Sequence, residues 1–173
     1  VIAGVSLSLM LFLWRASRPH AAIVGRVPDT EHFRNVKRHK VLTDPRILTI
    51  RIDESLTYLN ARWLEEFVLE AVAEQPQLKH LILMCSAVNG IDASALESLE
   101  AINHRLCDGG IRLHLSEVKG PVMDALQRSH FLERLTGQVF LSQNAAFSAL
   151  VSAADKIDTP LAGDDLWISR GLI

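Results

Sequence analysis

Four strand-like apolar runs alternate with segments of helical period through the body of the chain. The runs cover residues 47–52, 78–85, 111–115 and 138–141, and the first two are nearly continuous in apolar side chains. Such runs are typical of strands covered on both faces of a sheet. Strands that alternate with helices favour right-handed crossovers and a mostly parallel or mixed sheet. The pattern therefore predicts an α/β fold with about four to five strands and about four helices.

Residues typical of helix ends stand beside the helical segments. Asn60 is placed to cap a helix over residues 61–74, and Asn144 is placed to cap another over 145–157. Gly120-Pro121 opens a helix, because proline is tolerated in the first turn, where its missing N–H does no harm. These signals predict one helix after each strand.

Ser94 stands where the second strand leads into the next helix, and it supports two interpretations. The stretch from Ser94 to Glu97 matches a capping box, in which the serine hydroxyl accepts from a backbone N–H and the glutamate reaches back. Alternatively, Ser94 is an exposed hydroxyl for phosphorylation, which would add about −1.5 to −2 charge. The helix dipole would favour that anion, whereas Asp92 and Glu97 would oppose it.

The first 14 residues form an uncharged apolar run that is followed by a basic cluster. As a helix this run would cover about 21 Å, which is short of the roughly 30 Å hydrocarbon core of a bilayer. We expect residues 1–15 to be the end of a transmembrane helix whose other turns lie upstream. Lys and Arg stay on the cytoplasmic side of a membrane, so Arg15 and Arg18 predict that the following residues are cytoplasmic. The alternative is an ordinary buried helix at the start of a soluble domain.

Charge is divided unevenly along the chain. Residues 15–40 hold seven Lys or Arg and two acidic residues, a balance of +5, while the remainder carries −7. We interpret 16–40 as a basic juxtamembrane linker on an anionic inner leaflet, where each cation near the surface contributes about 1 kcal/mol. The alternative is a solvated linker without a partner. A basic cluster facing the membrane would comprise Arg15, Arg18, Arg34, Lys37, Arg38 and Lys40.

No pattern in the chain points to catalysis, a cofactor or nucleic acid. The seven histidines are scattered, the two cysteines lack metal-ligand spacing, and no glycine-rich phosphate loop is present. Nucleic acid is disfavoured because the body is acidic and aromatic residues do not interleave with the basic ones. The sequence therefore predicts a protein that is not an enzyme, holds no metal or cofactor and keeps its thiols reduced.

Several segments resemble one family. Residues 88–96 resemble the signature loop of STAS domains, the module shared by anti-sigma-factor antagonists and the cytoplasmic tails of SulP-type anion transporters. Residues 26–36 resemble the linker of those transporters, 50–61 resemble the first strand and its continuation, and 118–126 resemble the entry to the third helix. The resemblance extends over about residues 19–157.

The resemblance implies the C-terminal STAS domain of a bacterial SulP-type transporter of sulfate, bicarbonate or dicarboxylates. Its partners would be the transporter's membrane domain, a second copy, anionic inner-leaflet lipid and a cytosolic regulatory protein, with the domain at residues 41–157 beneath the inner (plasma) membrane. Its signature loop would comprise Asn89, Gly90, Asp92 and Ser94.

The same resemblance leaves an alternative function and one unassigned segment. The alternative is a membrane-tethered signalling protein of the antagonist type, switched by phosphorylation of Ser94, although Ala93 and Ala95 depart from that pattern. Residues 158–173 form a C-terminal tail that is poor in periodicity, and its Trp167 and Ile168 leave open a docking role.

Overall fold

The computed structural model describes residues 2–158, which form one six-stranded mixed sheet and six helices. The strands are β1 (Ala21–Arg26), β2 (Phe33–Asn35), β3 (Ile47–Ile52), β4 (His80–Met84), β5 (Arg112–Ser116) and β6 (Val139–Phe140). The helices are α1 (Ile2–Ala16), α2 (Ala61–Ala73), α3 (Ala93–Asp108), α4 (Gly120–Arg128), α5 (Phe131–Arg134) and α6 (Gln143–Asp158). The α/β class is therefore confirmed, with slightly more elements than expected.

The sheet has the order β2-β1-β3-β4-β5-β6. Strands β3 to β6 are parallel to one another, whereas β1 is antiparallel to both β2 and β3. Strands β1 and β2 lie within residues 16–40, where the sequence analysis predicted a linker and no strand. Strand β1 contains alanine, glycine and arginine, so its sequence does not show the alternation of buried and half-buried positions that the structure has. These two strands are stabilised by pairing with an apolar neighbour rather than by their own sequence pattern.

Both faces of the sheet are covered, which explains the nearly continuous apolar sequence of β3. Leu48, Ile50 and Ile52 alternate along one face and join the core beneath α2 and α3. Ile47 points to the opposite face, where it packs with Phe147 of α6. Helix α6 therefore closes the second layer of the domain.

Two of the expected helix caps are replaced by other contacts. Helix α2 follows Asn60 as expected, but the Asn60 side chain accepts from the Thr57 N–H at 2.9 Å and donates to the Ser55 carbonyl at 2.9 Å. Helix α6 begins at Gln143, so the expectation that Asn144 caps it is wrong. The Ser142 hydroxyl accepts from the Ala145 N–H instead, at 3.1 Å.

Helix α1 exposes its apolar side chains. Ile2 is 84% exposed and Trp14 is 60% exposed, so α1 is not the buried helix that was considered as an alternative. Within residues 2–158, no helix combines the length and the apolarity that crossing a membrane requires. The interpretation of α1 as the end of a spanning helix stays a prediction. The C-terminal tail lies outside the described residues, apart from Asp158.

Candidate functional site

The predicted signature loop lies at the edge of the sheet where the parallel strands β3, β4 and β5 end, which we term the carboxyl edge. The loop after β3 and the loop after β4 are joined there by backbone hydrogen bonds. Leu56 donates to the Gly90 carbonyl at 3.0 Å, and Asp92 donates to the Leu56 carbonyl at 3.1 Å. A parallel bridge between Leu56 and Ile91 completes the connection. The two loops therefore form one rigid unit at the place where α/β sheets usually carry their binding sites.

Asp92, not Ser94, caps α3. Its Oδ1 accepts from the Ala95 N–H at 2.9 Å, and its Oδ2 accepts from the Tyr58 N–H at 2.8 Å. The helix therefore starts two residues earlier than the capping-box interpretation required, and that interpretation is wrong. Ser94 is the second residue of α3 and is exposed. A single carboxylate thus satisfies a helix N–H and fastens the neighbouring loop.

Asn89 connects the signature loop to two other loops of the carboxyl edge. Its Oδ1 accepts from Lys119 Nζ at 2.6 Å, and its N–H donates to the Ser55 hydroxyl at 3.3 Å. Gly90 contributes its carbonyl, but a Cβ added there would meet no atom within 4 Å. The structure therefore brings together Asn89, Gly90 and Asp92 and leaves Ser94 beside them at the surface.

Ser55, Tyr58 and Lys119 belong to this unit although sequence reasoning did not single them out. They lie 30 to 34 residues from their partners in the chain. No local motif marks them. The predicted parallel order of the strands was the available signal, because it brings the loops after β3, β4 and β5 to the same edge.

The surroundings of Ser94 hold cations that are already paired. Ser94 lines a shallow groove between α2 and α3. In that groove Arg62 pairs with Glu66 at 3.2 Å, and nearby Arg105 pairs with Glu65 at 3.1 Å. A phosphate on Ser94 would have to compete with these carboxylates for the guanidinium groups. The arrangement permits access to the hydroxyl but offers no ready anion site.

The chain enters the sheet from α1 at the same carboxyl edge. Ala21 pairs with Ile52, and the Asp53 N–H donates to the His20 carbonyl at 3.0 Å. The Asp53 carboxylate also forms a hydrogen bond with His20 Nδ1 at 2.5 Å and accepts one from Arg51 Nε at 2.6 Å. Burial alone would raise the pKa of Asp53, but these hydrogen bonds hold that pKa below its ordinary value. We term His20, Arg51 and Asp53 the junction clamp.

The predicted basic cluster is divided between two places. Arg18 lies over the Trp14 ring at 5.3 Å, near the end of α1. The other members whose side chains are described are exposed on β2 and on the turn that follows it, namely Arg34, Lys37, Arg38 and Lys40. Asn35 fixes this turn because its Oδ1 accepts from the Lys37 N–H at 2.8 Å. The side chain of Arg15 lies outside the described part.

Two histidines contact each other on the sheet away from the carboxyl edge. His114 is buried, and its Nδ1 accepts from the Gln138 N–H at 3.2 Å. Its Nε2 therefore carries the proton and donates to His80 Nδ1, 3.1 Å away. Burial, with the charges of His80 and Arg112 added, lowers the pKa of His114 to about 4. Burial also lowers the pKa of His80.

Neither cysteine forms a disulfide bond, and the thiol of Cys85 is unreactive. Burial, with a smaller effect of Glu117, raises the pKa of the Cys85 thiol to about 12, so the thiol stays protonated. Cys107 is exposed on α3. Among residues 2–158 no group of three or more His, Cys, Asp or Glu side chains is arranged to hold a metal ion.

The sequence of the chain matches a known domain. A family model described as the STAS domain matches residues 39–146, which is more than half of the chain. The chain belongs to the STAS domain family. This STAS domain is 30% identical over 175 residues to Sulfate transporter 1.3 of Arabidopsis thaliana, a match that covers 95% of the chain and 26% of that relative. The chain spans about a quarter of the length of the curated relatives it matches.

Solved structures show the same fold. The murine Slc26a9 anion transporter in the inward-facing state superimposes with a TM-score of 0.74 at 18% identity, over 87% of this chain and 25% of that one. A proposed anti-sigma factor antagonist from Thermotoga maritima superimposes with a TM-score of 0.52 at 16% identity, over 62% of this chain and 89% of that one. The fold is therefore common to both classes that the sequence resembles.

Proposed function

We propose that this chain is the cytoplasmic regulatory and dimerisation domain of a secondary-active anion transporter of the sulfate, bicarbonate or dicarboxylate class. The observation that carries the proposal is the extent of the match to a sulfate transporter, which covers 95% of this chain and so extends beyond the STAS match at residues 39–146. The same match covers only 26% of the relative. The transport path would then lie in the remaining part of the protein.

The domain would act by protein contacts. The junction clamp fixes the sheet to the segment that follows α1, and the loops of the carboxyl edge lie on that side of the sheet. A rigid attachment of this kind can pass a change in the domain to a membrane helix, because packed elements shift as units. We place the domain on the cytoplasmic side of the inner (plasma) membrane, with Arg18, near the end of α1, next to anionic lipid. Lys37 of the same cluster lies beside Asp44 and Pro76, which precede β3 and β4, and so at the other edge of the sheet.

The partners remain those expected from the sequence: the transporter's membrane domain, a second copy, inner-leaflet lipid and a cytosolic regulatory protein. A bacterial source is likewise an expectation. The mass of the protein in detergent micelles, measured by light scattering, tests whether two copies of the chain associate. A mass equal to one chain at every concentration would remove dimerisation from the proposal.

Uptake of labelled anions tests the function. The complete reading frame would be expressed in cells that lack their own sulfate uptake, beside a version that lacks residues 41–157. We expect the complete protein to restore uptake and the shortened one to lose it while still reaching the membrane. Uptake that is unaffected by the deletion would overturn the regulatory role. Failure of the complete protein to move sulfate, bicarbonate or a dicarboxylate would overturn the transporter assignment.

The antagonist-type alternative has one observation in its favour, the exposure of Ser94. It requires a partner kinase that modifies Ser94 and a binding partner that is lost on modification. Mass spectrometry of the protein purified from its own cells discriminates the two functions. Stoichiometric phosphate on Ser94 would favour the signalling protein, whereas unmodified Ser94 beside active transport would exclude it.

A further inference from the structure

Two histidines and an arginine lie together at the edge of the sheet where the parallel strands begin, which we term the amino edge. His80 is the first residue of β4 and is paired in register with Arg112, the first residue of β5. His114 lies two residues further along β5 and contacts His80, so the three side chains share one face of the sheet. Ile47, the neighbour of His80 on β3, packs against α6 on that face. We term His80, Arg112 and His114 the histidine corner.

The hydrogen bonds of the histidine corner all run in one direction. The Gln138 N–H donates to His114 Nδ1 at 3.2 Å, which leaves the proton of neutral His114 on Nε2. That proton is donated to His80 Nδ1, 3.1 Å away, so the proton of neutral His80 lies on its own Nε2. His80 is half-buried, and its Nε2–H has no acceptor among residues 2–158. The series of bonds therefore ends in a donor that an added acceptor could satisfy.

The charges that act on His80 are mainly positive. Arg112 is exposed and forms no ion pair with another of the described residues. Burial lowers the pKa of His80, the charges of Arg112 and Arg46 lower it further, and the charge of Asp44 opposes them. The Asp44 carboxylate is itself held by Arg46 at 2.8 Å. An anion beside Arg112 would offset this repulsion and favour the charged form of His80.

The donors of the histidine corner fit a small oxyanion of charge −2. A guanidinium presents its N–H groups as a fork to two oxygens of one anion, and an imidazole N–H can donate to a third oxygen. When His80 is protonated, His80 and Arg112 carry two positive charges, while Asp44 and Arg46 balance each other. A tetrahedral dianion can accept from both side chains and balance both charges. Sulfate and the dianion of inorganic phosphate have this chemistry.

We infer that the histidine corner binds sulfate or inorganic phosphate between Arg112 and His80, and that the anion binds more tightly when His80 is protonated. The Arg112 guanidinium and the His80 Nε2–H donate to the anion. His114 is a positioning residue, because its bond to His80 Nδ1 orients the His80 ring. The site lies at the amino edge and is therefore separate from the signature loop. This inference does not depend on the transporter assignment.

Nuclear magnetic resonance of the histidine rings tests the inference. The complete chain with isotope-labelled histidines, in an uncharged detergent, is titrated with acid in sodium sulfate and in sodium chloride of equal ionic strength. The variant His80→Gln identifies the signal of His80. If sulfate binds the protonated form tenfold more tightly, saturating sulfate raises the pKa of His80 by about 1, because the coupling is reciprocal. Equal pKa values of His80 in the two salts would overturn the inference.

Removal of single charges locates the site. Arg112→Gln should abolish the rise of the His80 pKa in sulfate. Lys79→Gln is the matched control, because Lys79 is exposed at the same edge but alternation places it on the opposite face, and it should keep the rise. A rise that survives in Arg112→Gln, or that both variants lose equally, would contradict binding at Arg112. An equal rise in sodium acetate would contradict the preference for a dianion.

Discussion

Asp92 is the residue on which the candidate site depends most directly. Its two carboxylate oxygens accept from the Ala95 and Tyr58 N–H groups, so its loss would leave two donors unsatisfied. We expect Asp92→Ala to lower the free energy of unfolding by about 2 kcal/mol, the upper end for a helix cap. Ser94→Ala should change it by less than about 0.5 kcal/mol, since Ser94 is exposed and does not cap the helix. Urea denaturation measures both, and equal losses would contradict the assignment of the cap.

The position of the cap shows what the sequence could not decide. Aspartate and serine are almost equally good capping residues, and Asp92 and Ser94 are only two positions apart. The choice is made by the Tyr58 N–H, which comes from 34 residues away and binds only Asp92. Local capping rules contain no information about such a partner. The residues of the loop were therefore predictable, whereas their roles were not.

Buried His114 should make the domain sensitive to acid. Its folded pKa of about 4 lies below the ordinary value of 6.5, so the unfolded chain binds more protons between these values. The stabilisation is fully present above about pH 6.5 and is lost as the pH falls towards 4, by roughly 3 kcal/mol in total.

Denaturation at a series of pH values measures this dependence. His114→Leu should reduce the slope of the profile in that window, and the remaining slope should come from His80, whose pKa burial also lowers. His104→Gln is the matched control: His104 is an exposed histidine on α3, and its loss should leave the slope in place. A slope in His114→Leu equal to that of the unaltered protein would show that His114 does not cause it.

At the scale of elements, the edge strand β6 is held by a close backbone approach. A Cβ at Gly137 would lie 2.2 Å from the Leu113 carbonyl oxygen and 2.6 Å from His114 Nδ1. We expect Gly137→Ala to displace β6 and to lower the free energy of unfolding by at least about 2 kcal/mol. Gly90→Ala is the matched control, because a Cβ there meets no atom within 4 Å. Thermal unfolding compares the two, and similar midpoints would contradict the close approach.

The elements that the sequence predicted best are those whose own side chains form the core. Strand β3 coincides with the predicted run 47–52, and the next three predicted strands contain β4, most of β5 and β6. Strands β1 and β2 were not predicted, since Ala21, Gly25 and Arg34 give no apolar alternation. Their pairing with β3 is a long-range effect, and patterns within a window of residues do not record it.

At the scale of the whole molecule, the carboxyl edge combines the candidate site with the attachment of α1. The parallel strands bring Asn89, Asp92 and Lys119 to the edge at which His20 enters the sheet. If α1 is the membrane anchor that we propose, any contact between the domain and a membrane partner lies close to the signature loop as well. This common edge is the feature of the fold that the proposed regulation requires.

The junction clamp should therefore decide how firmly β1 and the segment from α1 are held to the sheet. Asp53→Asn removes the negative charge that the Arg51 and His20 side chains contact. The hydrogen bond from the Asp53 N–H to the His20 carbonyl stays. Charge-assisted bonds at a half-buried site contribute about 1.5 kcal/mol, so backbone amides of β1 should exchange roughly tenfold faster in the variant. Asp124→Asn, at an exposed position of α4, is the matched control. Hydrogen exchange measured by mass spectrometry gives both rates, and faster exchange in both variants, or in neither, would show that the clamp does not hold the junction.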